Sequence, residues 1–148
     1  MYKLRTFNCI KCNIEIVTRN LKFRQFCSSK CYYSFNKDKL IKEWQLGKDN
    51  GLKTGCRLKT KIRSYLFEKF ENKCCKCGWN EINPYTKNQI PPLEVNHLDG
   101  DSSNNKEENL ELICPNCHAL TSTYKALNKG KANKERLAYS RMITMPNS

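Results

Sequence analysis

No stretch of this 148-residue chain approaches the roughly 18 consecutive apolar residues that a membrane-spanning helix requires. Its first residues, MYKLRTFNCIKC, carry no apolar run ahead of a small-residue cleavage site, so no secretory leader is expected. Apolar residues are only 39% of the chain and thinly spread, which argues against one large core. Acidic residues are scarce: 14 against 27 Lys and Arg, for a formal net charge of +13. That field points to nucleic acid as the partner, held through phosphates with steep salt dependence. A merely solvated basic surface, or one that binds acidic membranes, is the blander reading. Histidine is scarce too, with two residues, and no internal repeat is visible beyond two cysteine clusters.

What the chain has in quantity is cysteine, ten in all. Small units with thin cores need a covalent or metal staple. The cysteines come in close pairs, which is metal-ligand spacing more than disulfide spacing, so a reduced, intracellular (cytoplasmic) protein holding Zn2+ is expected. Cys9-x2-Cys12 with Cys27-x3-Cys31, and Cys74-x2-Cys77 with Cys114-x2-Cys117, each predict a four-thiolate structural zinc site. Cys56 and Cys75 are left without a role.

The chain parses into four stretches. Residues 1–36 hold the first cluster, with short strands expected at Glu15-Ile16-Val17-Thr18 and Lys22-Phe23-Arg24-Gln25-Phe26 around a turn at Asn20. Ser28 is placed to cap a helix starting near Lys30. Residues 37–73 form a helical middle. Phe35, Leu40, Ile41 and Trp44 share one stripe and Gly47 is the stop; a loop over 48–55 leads to a second stripe of Ile62, Tyr65, Leu66 and Phe70 over 60–72, capped by Thr60. Residues 74–128 hold the second cluster and both histidines, and 129–148 form a basic tail with a short helix expected from Lys134 to Met142. The predicted fold class is α+β, small and zinc-stapled.

Charge is uneven along these stretches. Residues 1–60 carry 14 basic against 4 acidic side chains, whereas 93–112 carry Lys106 against Glu94, Asp99, Asp101, Glu107, Glu108 and Glu111. An acidic island in a phosphate-binding chain hints at a divalent cation, although solvated loop acids would look the same. Leu93, Val95 and His97 alternate as in a strand, as do Leu110, Leu112 and Cys114, with Gly100 and polar residues between; a helix is expected to follow through Leu127. His97 would end the first strand and His118 would open the helix.

The run LEVNHLDGDSSNNKEENLELICPNCH, with both CxxC pairs around it, resembles the zinc-supported HNH endonuclease family. That resemblance covers about 74–128 and implies a ββα-metal (His-Me finger) unit that hydrolyses phosphodiester bonds with a single divalent cation, Mg2+ or Mn2+. By the same resemblance His97 is the general base, Asn96 and His118 hold the catalytic cation, and Asn109 tethers the loop that positions His97. Position 96 is often Asp or His in the family. Asn there implies weaker metal binding, or help from Asp99 or Asp101. Adjacent Asn96 and His97 also point to opposite faces of an ideal strand, so the strand is expected to end or twist there.

The first cluster, through FCSSKCYYSF, resembles a small treble-clef-like finger. Lys11, Arg19, Lys22, Arg24 and Lys30, interleaved with Phe23, Phe26, Tyr32 and Tyr33, together with Lys53 in the middle stretch, are the candidate contacts to double-stranded DNA. The expected activity is that of a DNA endonuclease similar to phage homing or nicking enzymes, acting as monomer or homodimer. The alternative is a non-catalytic zinc-containing nucleic-acid-binding protein with a degenerate HNH unit.

Overall fold

The computed structural model describes residues 4–18, 25–53, 57–85, 87 and 89–127. The chain divides into two compact units, Met1–Glu43 and Trp44–Ser148.

In the first unit, strands β1 (Arg5–Asn8) and β2 (Glu15–Thr18) pair antiparallel, with Asn8 opposite Glu15. The first CxxC forms the tip of this hairpin. The Asn13 N–H donates to the Cys9 carbonyl at 2.8 Å, and the Cys9 N–H donates to Ile14 at 2.9 Å. Asn13 takes the left-handed conformation (φ 59°) that such a knuckle demands. The partner of β2 therefore precedes it, where the sequence suggested a partner over 22–26. The knuckle already brings residues 8 and 15 into register across a very short loop. Gln25 and Phe26 lie in no strand, and 22–24 fall outside the described residues.

Helix α1 (Ser29–Gln45) opens as its sequence suggests: the Ser28 hydroxyl accepts from the Cys31 N–H at 3.2 Å. It closes at Gly47, whose φ of 70° places its N–H on the Trp44 carbonyl at 2.9 Å. Beside its first turns Phe26 packs on Tyr32 and Phe35, with ring centroids 5.5 and 5.3 Å apart.

The second unit begins with the last turn of that helix. A small hairpin, β3 (Leu52–Lys53) with β4 (Arg57–Leu58), stands where only a loop was expected. Helix α2 (Thr60–Lys69) buries Ile62, Leu66 and also Phe67, which the predicted stripe omitted. Its cap residue is Lys59, not Thr60, and no side chain makes the cap; the Lys59 carbonyl takes the N–H groups of Ile62 and Arg63. The helix ends short of residue 72 because Glu71 and Asn72 turn left-handed, and the Asn72 N–H closes on Phe67 at 2.8 Å.

Strands β5 (Glu94–His97) and β6 (Leu110–Ile113) pair antiparallel, with Asn96 opposite Glu111 and His97 opposite Leu110. A 3-10 turn, Glu107–Asn109, leads into β6. Phe67, Leu93, Leu112 and Ile113 form the core with Cys74 and Cys114. Each such apolar side chain contributes about 1.5–3 kcal/mol on burial. All four residues of β6 are buried, so its apolar alternation understates its burial: Glu111 is enclosed as well.

Helix α3 (Pro115–Ala119) follows at once. It is far shorter than the helix expected to reach Leu127. The backbone N–H and the hydroxyl of Thr121 both donate to the His118 carbonyl, the hydroxyl at 2.8 Å, and so terminate it. A 3-10 turn, Lys125–Leu127, closes the described chain, and the helix suggested for 134–142 lies outside the described residues. Among the described residues no helix is long and apolar enough to cross a membrane.

Candidate active site and metal centres

Two groups of four cysteines come together: Cys9, Cys12, Cys27 and Cys31 in the first unit, and Cys74, Cys77, Cys114 and Cys117 in the second. Within each group all Sγ atoms lie within 4.8 Å of one another. Specific separations are 3.5 Å for Cys12–Cys27, 3.3 Å for Cys27–Cys31 and 3.8 Å for Cys77–Cys114. A tetrahedral zinc–thiolate site with bonds of about 2.3 Å needs sulfurs about 3.8 Å apart. The groups fit such an ion, and no disulfide joins the described cysteines.

The second knuckle repeats the hydrogen bonds of the first. The Gly78 N–H donates to Cys74 at 2.8 Å, the Cys74 N–H donates to Trp79 at 2.8 Å, and Gly78 has φ 76°. Burial pushes the Cys74 thiol up, but the backbone N–H groups of Cys114, Cys77 and Lys76 outweigh it and leave the group at about 6. Crowding by Cys77 and Cys114 pushes Cys117 up to about 12. Four thiols this close tolerate one thiolate easily, and the others call for a cation. Cys114 also caps α3, accepting from the Cys117 N–H at 3.4 Å, with Pro115 at the first helical position. The cluster thereby fixes β6 and α3 relative to the 74–77 knuckle.

His97 ends β5. Its Nε2 lies 3.0 Å from the Asn105 Oδ1, while the Asn105 amide donates to the Ser103 and Ser102 carbonyls at 3.1 and 3.4 Å. With the amide nitrogen committed to carbonyls, the Asn105 oxygen faces the ring. The neutral imidazole then carries its proton on Nε2 and its lone pair on Nδ1. The Asn105 carbonyl in turn accepts from the Trp44 indole N–H at 2.7 Å.

Asn109, buried before β6, acts one step further out. Its Oδ1 accepts from the Asp99 N–H at 3.1 Å, and its Nδ2 donates to Asp99 Oδ1 at 2.9 Å and to the Asn104 carbonyl at 2.7 Å. It ties the 99–104 loop, while the side chain that touches His97 is Asn105. The Asp99 carboxylate accepts from Asn104, Asp101 and Asn109, and Asp101 accepts from Ser103. Burial raises Asp99, but these donors hold it below the ordinary carboxylate range. Hydrogen bonds from Ser103 do the same for Asp101. Both carboxylates serve the loop.

Asn96 faces other partners. It is 6% exposed, and its Nδ2 donates to Glu111 Oε1 at 2.9 Å. Its Oδ1 has no hydrogen-bond partner among the described residues. A cavity of about 390 Å³ is lined by Asn96, Glu111, Lys76, Cys117, Thr121 and Thr123 among others. On the neighbouring helix, His118 Nδ1 hydrogen-bonds the Glu94 carboxylate, and its ring meets Tyr124 edge-on at 5.3 Å. That leaves His118 Nε2 without a hydrogen-bond partner among the described residues. An orphaned buried carboxamide oxygen and an imidazole nitrogen are the oxygen and nitrogen donors a divalent cation accepts, so Asn96 and His118 fit one by chemistry.

Among the expected DNA contacts, Lys30 and Lys53 are exposed, and Lys11 is ion-paired with Asp38. Arg19, Lys22 and Arg24 lie outside the described residues.

Sixty residues, 40% of the chain, are 45% identical to the H-N-H endonuclease F-TflIV of Escherichia phage T5. The chain resembles an HNH endonuclease. It spans a quarter of that phage protein's length. No family model matches, and no solved structure does. The resemblance and the two cysteine groups agree with the family reading of the sequence. Sequence reasoning missed Asn105, Glu111 and Glu94. Glu94 and Glu111 were counted only as members of an acidic patch, and the sole signal for Asn105 was its place in a polar loop beside a histidine.

Proposed function

We propose that this chain is a metal-dependent DNA endonuclease of the HNH type, with the β5–β6–α3 unit as its ββα-metal centre. The observation that carries the reading is the state of the two histidines. Both sit on one cysteine-pinned unit, and each has one ring nitrogen held by a neighbouring side chain, His97 by Asn105 and His118 by Glu94. Each therefore offers its second nitrogen in a fixed orientation.

In this reading His97 Nδ1 takes a proton from a water molecule as that water attacks the scissile phosphorus. The P–O bond to the departing sugar oxygen then breaks. Asn96 Oδ1 and His118 Nε2 hold a single Mg2+ or Mn2+, which when bound supplies Lewis acidity and offsets charge on the phosphate. Asn96 and His97 are the last two residues of β5, just before the turn at 98–100, and in this reading they address one phosphate from that end of the strand. Asn109 acts at a distance by holding the loop. The two four-cysteine groups hold structural Zn2+. The first unit, treble-clef-like, grips double-stranded DNA with Lys30, Lys53 in the second unit adds a contact, and the enzyme works inside a phage-infected cell as a homing or nicking endonuclease, monomer or homodimer.

One observation favours a rival: a neutral Asn96 turned toward Glu111 also suits a non-catalytic nucleic-acid-binding protein. Supercoiled plasmid incubated with Mg2+, Mn2+ or EDTA, beside His97→Ala and His118→Ala variants, separates the two. Cation-dependent nicking or linearisation lost in both variants supports the nuclease. DNA retarded on a gel but never cut, with phage DNA included as substrate, supports the binding protein.

A further inference from the structure

The carboxylate that accompanies Asn96 is neither of the loop aspartates. Glu111 lies directly across the ribbon, in register with Asn96, and is 7% exposed. Both of its oxygens are committed. Oε1 accepts from Asn96 Nδ2 at 2.9 Å; Oε2 takes Lys76 Nζ at 2.8 Å and the Cys75 thiol at 3.5 Å. A carboxylate with every oxygen engaged is poorly placed to be a ligand itself. It is well placed to fix the group it touches.

An asparagine amide can flip, presenting either its oxygen or its NH2 in a given direction. Only the NH2 can face a carboxylate, because an oxygen there would meet a second oxygen with no proton between them. Glu111 thereby forces the Asn96 Oδ1 the other way, and that atom is the one left without a hydrogen-bond partner among the described residues. We infer that Glu111 is a positioning residue that locks the Asn96 side chain with its oxygen presented to the catalytic cation. This inference rests on the proposed role of Asn96 as a ligand. It also accounts for the neutral residue at position 96. The charge stands one residue back, on Glu111, balanced by Lys76, and an aspartate at 96 would face Glu111 as a like charge.

The test measures Mn2+ affinity by electron paramagnetic resonance on the full, zinc-loaded chain, so that its readout does not depend on cleavage. Asn96→Ala is expected to weaken Mn2+ binding, and unchanged affinity would remove Asn96 as a ligand, taking both readings with it. Glu111→Met removes the acceptor at similar volume and is expected to weaken binding about 10–100-fold, as loss of a ligand's supporting hydrogen bond does. Glu111→Gln leaves its one oxygen to Lys76 and so turns its NH2 toward Asn96, which favours the flipped amide; it is expected to weaken binding about as much as Glu111→Met. In the Asn96→Ala background Glu111→Met should have no further effect. A sensitive Asn96→Ala with Glu111→Met unchanged, Glu111→Gln at parent affinity, or an undiminished Glu111→Met effect without Asn96, overturns the inference while leaving the ligand assignment standing. Should Glu111→Met not fold, the Asn96 side-chain NH2 protons in 15N-labelled parent protein decide. Slow exchange and a shift on Mg2+ addition support the lock; rapid exchange refutes it.

Discussion

Asn105→Ala is the sharpest probe of how His97 is held. The substitution deletes three side-chain hydrogen bonds: to His97 at 3.0 Å, to the Ser103 carbonyl at 3.1 Å and to the Ser102 carbonyl at 3.4 Å. It leaves the Asn105 carbonyl on the Trp44 indole. At about 0.5–1.5 kcal/mol net for each bond, with the longest counted at the low end, the loss is about 1.5–3.5 kcal/mol. In a domain of this size that lowers the melting temperature by about 5–15 °C. The ring also loses the partner that keeps its proton on Nε2, so cleavage is expected to slow about 10–100-fold, the usual cost of removing a supporting shell contact. Asn105→Asp separates orientation from mere stability. It retains an acceptor for Nε2–H and adds a negative charge that favours the imidazolium. The base must be neutral to act, so a charge that favours the imidazolium is expected to move the acidic limb of the pH–rate profile to higher pH. Plasmid nicking followed across pH, beside thermal melts with zinc in excess, gives both numbers. A parent-like rate and melt for Asn105→Ala, with no pH displacement in Asn105→Asp, would refute the argument.

Gly51 has φ +74°, and a Cβ there would sit 3.1 Å from the Trp44 Nε1, 3.2 Å from Ile62 Cδ1 and 3.3 Å from Asn105 Cβ. Gly51→Ala is therefore expected to cost about 1–3 kcal/mol in urea unfolding, and a neutral result would mean this packing is loose. Cys114→Ser removes a buried member of the second cluster that also caps α3; one equivalent of zinc per chain should disappear from a colorimetric assay and the second unit should melt early, whereas full zinc content would refute the site. Acid should unfold the second unit through depressed carboxylates. Burial raises Glu107, but Lys69, Tyr65 and Gln45 hold it below its usual range, and Glu111 is lowered chiefly by Lys76 and Asn96 against its own burial. For groups lowered on folding, the stability is present above the unfolded value, 4.5 for Glu, and is lost as pH falls through the folded value. Urea midpoints should hold near neutrality and fall steeply below about pH 4, less steeply in Glu107→Gln; identical acid limbs would show that Glu107 contributes nothing.

Features that depend on spacing and residue type are legible in the chain before it folds. Two CxxC pairs name a zinc knuckle wherever they occur, because the turn that aims two thiolates at one point needs only those few residues and a left-handed position such as Asn13 or Gly78. Ser28 as a cap, Gly47 as a stop and the alternating Leu93, Val95 and His97 are equally local, and the structure keeps each. What required the tertiary structure were pairings between residues far apart in the chain. By local pattern β2 pairs with a strand after it, since a turn at Asn20 looks as good as a knuckle, and only the closed hairpin shows why β1 wins. Helix α3 stops because Thr121 folds back onto His118, a competition that periodicity does not register. The neighbours of the candidate site residues were the least legible. Asn105 reaches His97 because the loop staple of Asp99 and Asn109 and the indole of Trp44 hold it there. Glu111 meets Asn96 because antiparallel register sets them opposite. Register and loop closure are properties of the assembled ribbon, and no run of residues states them in advance.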